Sequence, residues 1–400
     1  MLPVCGKYVL WKKCFVKNMT TTTRVSTQWQ IVRHDKWLLS CLTWVPLLLA
    51  LSIWWIFSQG IARDLPIGIV DLEHSQLSRT LSREFDATSS LAIHDNYADI
   101  NQAKTALISG DIYGYVIIPS NFTKDIYRGT PPQVSVFYNS QYILIGKLVN
   151  SAILQAQGTF NAQLDVVKSL TSGNTTTKSA LGKAVAVRTQ ITPLFNKNTN
   201  YAQFLVSAVV PALWQIVIVV GTIMILAANH RTYGTQKWLK SSPMTTVVKT
   251  LAAYIPVFLI QGIGFLLWFY KGFEWPMNGG FSVLIFAQLA TVIACMIMGS
   301  LFFFLTLDPA RAMSFAGAFT APSFAFMGIT FPVTDMNPFA QAWRNLLPIS
   351  HYIETQVSQS SYGVTQIESL VHLIPMIGYL FPLLLTALLI NKHLKQSEKV

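Results

Sequence analysis

The chain has 400 residues, of which 52% are hydrophobic and only 12% charged, about half the charged share of an ordinary soluble domain. Its formal net charge is +12, but the basic residues gather beside apolar stretches, which argues for membrane topology and against nucleic-acid binding. Continuous apolar runs also exclude a transmembrane β-barrel, whose strands alternate in character over about ten residues.

Residues 1–36 carry Lys7, Lys12, Lys13, Lys17, Arg24, Arg33 and Lys36 against the single acid Asp35. Within them Val25, Trp29 and Val32 recur at spacings of four and three. That pattern predicts an amphipathic helix at the membrane interface, or a helical extension of the span that follows. Residues 37–62 contain no charge and form the first predicted transmembrane helix. At about 26 residues it exceeds the 7–15-residue apolar region of a signal peptide, so it reads as an uncleaved anchor, although Ser58, Gly60 and Ala62 place small residues at alternate positions at its end.

Residues 63–200 form a polar insert with nearly balanced charge. Pro66–Asp71, Ser90–His94, Ile112–Ile118 and Pro132–Tyr138 read as strands. Ser75–Phe85, Ile100–Ile108 and Asn121–Arg128 read as helices between them, so a mixed α/β domain is expected. From Ile143 to Leu170 the pattern is helical, and Ser172–Lys178 is a polar break before the chain returns to the membrane.

Five further apolar stretches follow within residues 201–390: Tyr201–Asn229, Thr250–Tyr270, Phe281–Leu307, Ala312–Val333 and Val371–Ile390. Each is long enough to cross a bilayer as a helix. The expected fold is a polytopic α-helical membrane protein with six transmembrane helices and an extracytoplasmic α/β domain between the first two. Arg231, Lys237, Lys240 and Lys249 mark the 230–249 loop as cytoplasmic, and Lys392, Lys395 and Lys399 mark the 391–400 tail likewise. Both termini then lie inside a multi-pass protein of the cell inner membrane, with 63–200 and the segment 334–370 outside. That segment is expected to form short interfacial helices. Asp308 and Arg311 stand in the tight turn between the fourth and fifth spans, placed for a local ion pair.

No catalytic constellation is visible. Gly146-Lys147 and Gly182-Lys183 lack the remainder of a nucleotide-binding loop, and there is no His-Glu-x-x-His, Cys-x-x-Cys or Gly-x-Ser-x-Gly. Cys5, Cys14, Cys41 and Cys295 have no metal-ligand spacing, and none falls in the insert. His351 and His372 bracket the end of the outer segment and read as hydrogen-bonding groups. The centres of the spans hold no ionisable residue, whereas ion-driven carriers keep such groups within their helices. The chain is therefore read as a non-enzyme, without a cofactor or metal of its own, and any transport it performs draws energy from elsewhere.

The loop Ala228-Asn-His-Arg-Thr-Tyr-Gly-Thr-Gln-Lys-Trp-Leu-Lys-Ser-Ser-Pro243 resembles the cytoplasmic signature of ABC-2 type exporter permeases, with Gly234-Thr235 and Ser242-Pro243 at matching spacing. His230, Thr232 and Gln236 depart from the acids common there. Leu65–Asp71 followed by Ser75–Arg79, Gly110–Thr123, Arg128-Gly129 with Val134–Asn139, and Phe331-Pro332 through Tyr352 are similar to blocks of the branch with a large external domain. The resemblance covers about residues 25–390.

It implies a permease half: a second copy or related chain completes the pathway, and a separate cytoplasmic ABC ATPase binds ATP and Mg. Arg231, Thr232, Tyr233, Gly234, Thr235, Trp238, Leu239 and Pro243 would couple to that ATPase, with Gly234 turning tightly and Trp238 and Leu239 as an apolar docking face. Phe315, Phe319, Phe324 and Phe326 are candidates to line a route for hydrophobic or amphipathic drugs or lipids, in the manner of multidrug efflux. Ala316, Gly317 and Ala318 would permit close helix packing. A periplasmic adaptor is a further implied partner, besides the lipid bilayer. The rival reading is a membrane-anchored receptor or envelope assembly factor whose external domain binds a ligand.

Overall fold

The computed structural model describes residues 27–60, 62–171, 194–196, 200–239 and 242–397. Val25, most of the basic N-terminus, Cys5, Cys14, the polar break Ser172–Lys178 and most of the segment that follows it, Lys240 and the end of the tail lie outside the described residues. The chain divides into two compact units. One is Ser58–Ala202, and the other joins Met1–Phe57 to Gln203–Val400.

In the second of these units the first helices are α1 (Gln28–His34), α2 (Lys36–Leu42) and α3 (Trp44–Ile56). The expected first span is a bent pair, α2 and α3 meeting at 47°. The cause is local. Pro46, inside α3, has no N–H for the carbonyl of Leu42 four residues back. That carbonyl instead accepts from Gln261 Nε2 at 2.8 Å.

The insert alternates β1 (Leu65–Asp71), α4 (Gln76–Asp86), β2 (Leu91–Asn96), α5 (Ile100–Ser109), β3 (Gly114–Ile118), α6 (Phe122–Arg128), β4 (Ser135–Tyr138) and α7 (Ile143–Thr171). Every element falls at the position that the period-2 and period-3.6 patterns predicted. The sheet order is β2-β1-β3-β4, with β1 parallel to both neighbours and β4 antiparallel to β3. Alternation along β1 divides two cores. Ile67 and Ile69 pack with Leu81, Phe85, Phe122 and Phe160 on one face, while Val70 packs with Ala103, Ala106 and Ile112 on the other. Beyond the end of β1, Glu73 ties the loop before α4 to the first turn of α6. Its carboxylate accepts from Thr123 N at 2.9 and 3.1 Å and from Thr123 Oγ1 at 2.7 Å. Slight burial pushes the Glu73 pKa up, but hydrogen bonds from Thr123 and Ser75 outweigh it and hold the carboxyl below its ordinary value.

Beyond the insert run α8 (Tyr201–Tyr233), α9 (Thr235–Leu239), α10 (Pro243–Ala252), α11 (Ile255–Leu267), α12 (Phe281–Thr306), α13 (Pro309–Thr320), α14 (Ser323–Phe326), α15 (Pro338–Asn345), α16 (Pro348–Val357), α17 (Gln366–Val371) and α18 (Leu380–Ser397). Among the described residues, four segments are long and apolar enough to cross a membrane: Tyr201–Tyr233, Pro243–Gly272, Phe281–Thr306 and Gln366–Lys395. α8 and α12 approach so closely at Gly299 that a Cβ there would sit 2.8 Å from the Val219 carbonyl oxygen.

Two expectations change here. The stretch Ala312–Val333 is not one continuous helix. Pro322 interrupts the hydrogen-bond ladder between α13 and α14 although the backbone there stays right-handed helical, and Gly328 at φ +84° ends the run. α13 alone is about 18 Å long, short of the roughly 30 Å hydrocarbon core. The expected Asp308–Arg311 ion pair is also replaced, because Asp308 Oδ1 caps α13 by accepting from the backbone N–H groups of Ala310 and Arg311.

A third change concerns 334–370. It does form short helices, but α16 is packed within the chain: Ile349, Ser350, His351, Tyr352, Ile353, Thr355 and Gln356 are all buried. Two glutamines, one on α8 and one on α16, join the two helices. Gln215, itself fully buried, accepts from Ile349 N at 2.9 Å in the first turn of α16 and donates to Ser323 Oγ at 2.9 Å. Gln356 Nε2 donates to the Ser207 carbonyl at 2.9 Å, the oxygen left unpaired by Pro211 inside α8. Arg344, 4% exposed, pairs with Glu354 at 2.6 Å.

Gln215→Leu and Gln356→Leu should each destabilise the bundle by about 1–3 kcal/mol, the cost of one unsatisfied buried polar group, read as a lowered melting midpoint in mild detergent. A depressed carboxyl contributes stability that is present above its unfolded value of about 4.3 and is lost as pH falls through the folded value. Amide protection at Thr123 should therefore fall on acidification below the unfolded range, and Glu73→Gln should remove that dependence in hydrogen exchange of the full chain.

Candidate functional site

The residues singled out around 230–249 converge with α1 on one corner of the bundle. α1 begins where Thr27 N donates to Gln30 Oε1 at 3.0 Å, the return half of a capping box. Its buried side chains are Ile31 and Val32. Trp29 points outward, 65% exposed, while Val32 is buried and Val25 lies outside the described residues. Asp35 closes α1 and caps α2, accepting from Leu38 N at 3.1 Å, and its other oxygen pairs with Arg231 Nη2 at 2.5 Å. Arg231 is well exposed, and such surface pairs contribute only about 0–1 kcal/mol.

The stronger tie lies beneath that pair. Gln28 and Asn229 exchange two side-chain hydrogen bonds, at 2.9 and 3.2 Å. Asn229 is fully buried and also donates to the Ile225 carbonyl at 2.9 Å. Tyr254 OH donates to Gln28 Oε1 at 3.0 Å. One side chain of α1 thereby holds the end of α8 and the junction between α10 and α11. None of Gln28, Asn229 and Tyr254 was picked out by the sequence reading. The available signal was a carboxamide, Asn229, closing an otherwise apolar stretch.

α8 stops at Gly234, whose φ of +72° is a left-handed conformation that glycine adopts without strain. Gly234 N donates to the His230 carbonyl at 2.9 Å, and His230 Nε2 lies 2.7 Å from Thr235 Oγ1. The chain turns and restarts as α9. Here the expected docking face is corrected: Trp238 is 9% exposed and Leu239 0%. Trp238 stacks on Phe304 of α12, centroids 6.5 Å apart, and the Phe304 carbonyl accepts from His393 Nε2 at 2.8 Å. An apolar pair on so short a helix buries itself against the bundle, which is more favourable than remaining exposed. What α9 and its corner present outward is Arg231, Thr232, Gln236 and Lys237, while Tyr233 and Thr235 are half-buried. Pro243 occupies the first turn of α10, where its missing N–H costs no hydrogen bond.

The four phenylalanines do not form one group. Phe315 and Phe319 both pack on Phe302, at 6.3 and 5.6 Å, with Phe315 largely exposed. Phe324 and Phe326 lie past the Pro322 break and are half-buried. Ala312, Ala316 and Thr320 are the buried face of α13, while Gly317 and Ala318 face outward. Among the described residues no group of three or more His, Cys, Asp or Glu side chains could hold a metal ion.

No curated protein and no solved structure matches the chain. Residues 36–390 match the family model described as ABC-2 family transporter protein. That match spans the insert, the 230–249 loop and all or most of each long apolar helix, and begins after α1. The family implies a multi-pass protein that works in a lipid bilayer with an ABC ATPase. The chain belongs to the ABC-2 family of transporter proteins.

Proposed function

We propose that this chain is the membrane half of an ATP-driven exporter, and that the corner built from α1, Gly234 and α9 is where a separate ATPase delivers its stroke. The observation carrying this reading is the Gln28–Asn229–Tyr254 tie. It joins the exposed corner to α1, α8 and the α10–α11 junction, so a push on the corner reaches three elements of the bundle together. Arg231, Thr232, Gln236 and Lys237 make a polar, basic contact surface. Trp238, Leu239 and Pro243 set the angle of α9 from within. Gly234 supplies the turn, and Tyr233 and Thr235 flank it.

In this account the bent first span and the α13–α14 pair each complete a crossing, which gives six. The N- and C-termini and the 230–249 loop are cytoplasmic, the chain resides in the inner membrane, and residues 63–200 lie outside, where an adaptor could dock. ATP and Mg are held by the ATPase. A second permease half completes the route. The apolar helices suit a hydrophobic or amphipathic substrate, drug-like or lipid, moving outward from the cytoplasm or the inner leaflet, with Phe315 and Phe319 as candidate contacts.

Lys237→Glu, at an exposed position outside the core, should abolish copurification of the ATPase in mild detergent while the stability stays within about 0.5 kcal/mol of the parent. Gln28→Leu should keep the ATPase bound but uncouple its hydrolysis from substrate. Recovery of the ATPase at parental levels with Lys237→Glu, Arg231→Glu and their double variant would remove the corner as its docking site. A receptor would tolerate all of these changes.

A further inference from the structure

The insert unit contains a cavity of about 420 Å³ between α6, the loop after it and the second half of α7. Its size falls within the roughly 300–1,000 Å³ typical of small-molecule sites. The floor is apolar and belongs to the domain core: Phe122 and Phe160 stack with centroids 6.0 Å apart, and Leu81 and Ile126 complete it. One wall is stiff. Gly129 at φ +77° ends α6, Thr130 N donates back to the Asp125 carbonyl at 3.0 Å, and Pro131 and Pro132 follow. Proline fixes φ and so holds this wall in place.

The opposite wall is a row on α7. Gln157, Asn161, Asp165 and Lys168 line the cavity at spacings of four, four and three, which places them along one helix face. Their side chains make no hydrogen bond or ion pair with other described residues. The rim therefore offers two carboxamides, one carboxylate and one ammonium above an aromatic floor, with opposite charges one helical turn apart and no net charge.

From this arrangement we infer that the insert unit binds a small zwitterionic amphipath. Its apolar body lies against Pro132, Val134 and Leu164, the half-buried apolar lining over the Phe122–Phe160 floor, its cationic end meets Asp165 and its anionic end meets Lys168. Such a ligand satisfies both charges at once, which a purely anionic or purely cationic amphipath cannot do. The site is distinct from the α9 corner and stands or falls independently of ATPase docking.

Because the sequence has no cysteine between residues 58 and 202, a single thiol introduced there is readily followed. The full chain, with its native cysteines replaced by serine, would carry Asn161→Cys on the rim or, as a distant control, Gln102→Cys on α5. In nanodiscs of anionic lipid, maleimide labelling would be timed with and without hexylphosphocholine. The account predicts labelling slowed at least fivefold at Asn161→Cys and unchanged at Gln102→Cys. Hexyl phosphate and hexyltrimethylammonium should protect about tenfold less well at equal concentration. In a Thr130→Cys background, Asp165→Asn with Lys168→Met should remove the protection, and melting of that variant checks its fold.

Labelling unchanged by the probe, equal protection at both thiols, or protection that survives the double substitution would overturn the inference. Repeating the assay in phosphatidylcholine discs identifies the source of the ligand. Weaker protection there means that a lipid headgroup competes for the site, and equal protection means that the site takes a soluble molecule.

Discussion

A chain in hydrocarbon must satisfy its own backbone, and the bundle depends on how that is done where its helices break. Pro46 and Pro211 each remove one hydrogen bond, and α16 enters the interior with a first-turn N–H to satisfy. Each of these three defects is met by a glutamine from a distant part of the chain: Gln261 to Leu42, Gln356 to Ser207, Gln215 to Ile349. Glutamine suits the task because its carboxamide both donates and accepts without the desolvation cost of a charge. These contacts pin α11 to the first span, α16 to α8, and α8 to both α14 and α16. Breaks thereby become joints with defined partners.

The Gln28–Asn229–Tyr254 tie uses the same chemistry at the other functional end. Two carboxamides and a phenol hold α1 against the end of α8, while the nearby Asp35–Arg231 pair is exposed and weak by comparison. The buried neutral tie transmits force and the exposed charges offer a contact surface. Trp238 and Leu239 fit this division, since they anchor α9 on Phe304 and leave its polar side outward.

Much of this was legible in the sequence, for identifiable reasons. The insert's strands and helices differ in period, 2 against 3.6, and the punctuating Gly110, Gly129 and Pro119 mark their ends, so all eight elements between residues 65 and 171 could be placed. Gly234 stood out because Gly234-Thr235 and Ser242-Pro243 resemble the family's cytoplasmic signature at matching spacing. What stayed hidden was long-range. Hydropathy registers Ala312–Val333 as one apolar stretch and does not see that Pro322 breaks its ladder. It read 334–370 as a polar outer segment, whereas Gln215 on α8 caps the first turn of α16 and Gln356 of α16 bonds back to α8, so that α16 is buried against the chain. Trp238 and Leu239 looked like a docking face because apolar residues in a loop suggest a partner, and the partner proved to be the chain's own Phe304. The α7 cavity had no sequence signal at all, because its floor is made of ordinary core residues.

The account turns on what touches the Gly234 corner, and in-membrane photocrosslinking addresses that most directly. A benzophenone amino acid would replace Lys237, with a second chain carrying it at Gln102 in the insert, and captured proteins would be identified by mass spectrometry. Capture of a protein with an intact nucleotide-binding loop from position 237 and not from 102 is the predicted result. Capture of no such ATPase at 237, or its capture only at 102, would contradict the assignment of this corner as the point where ATP hydrolysis enters the membrane protein.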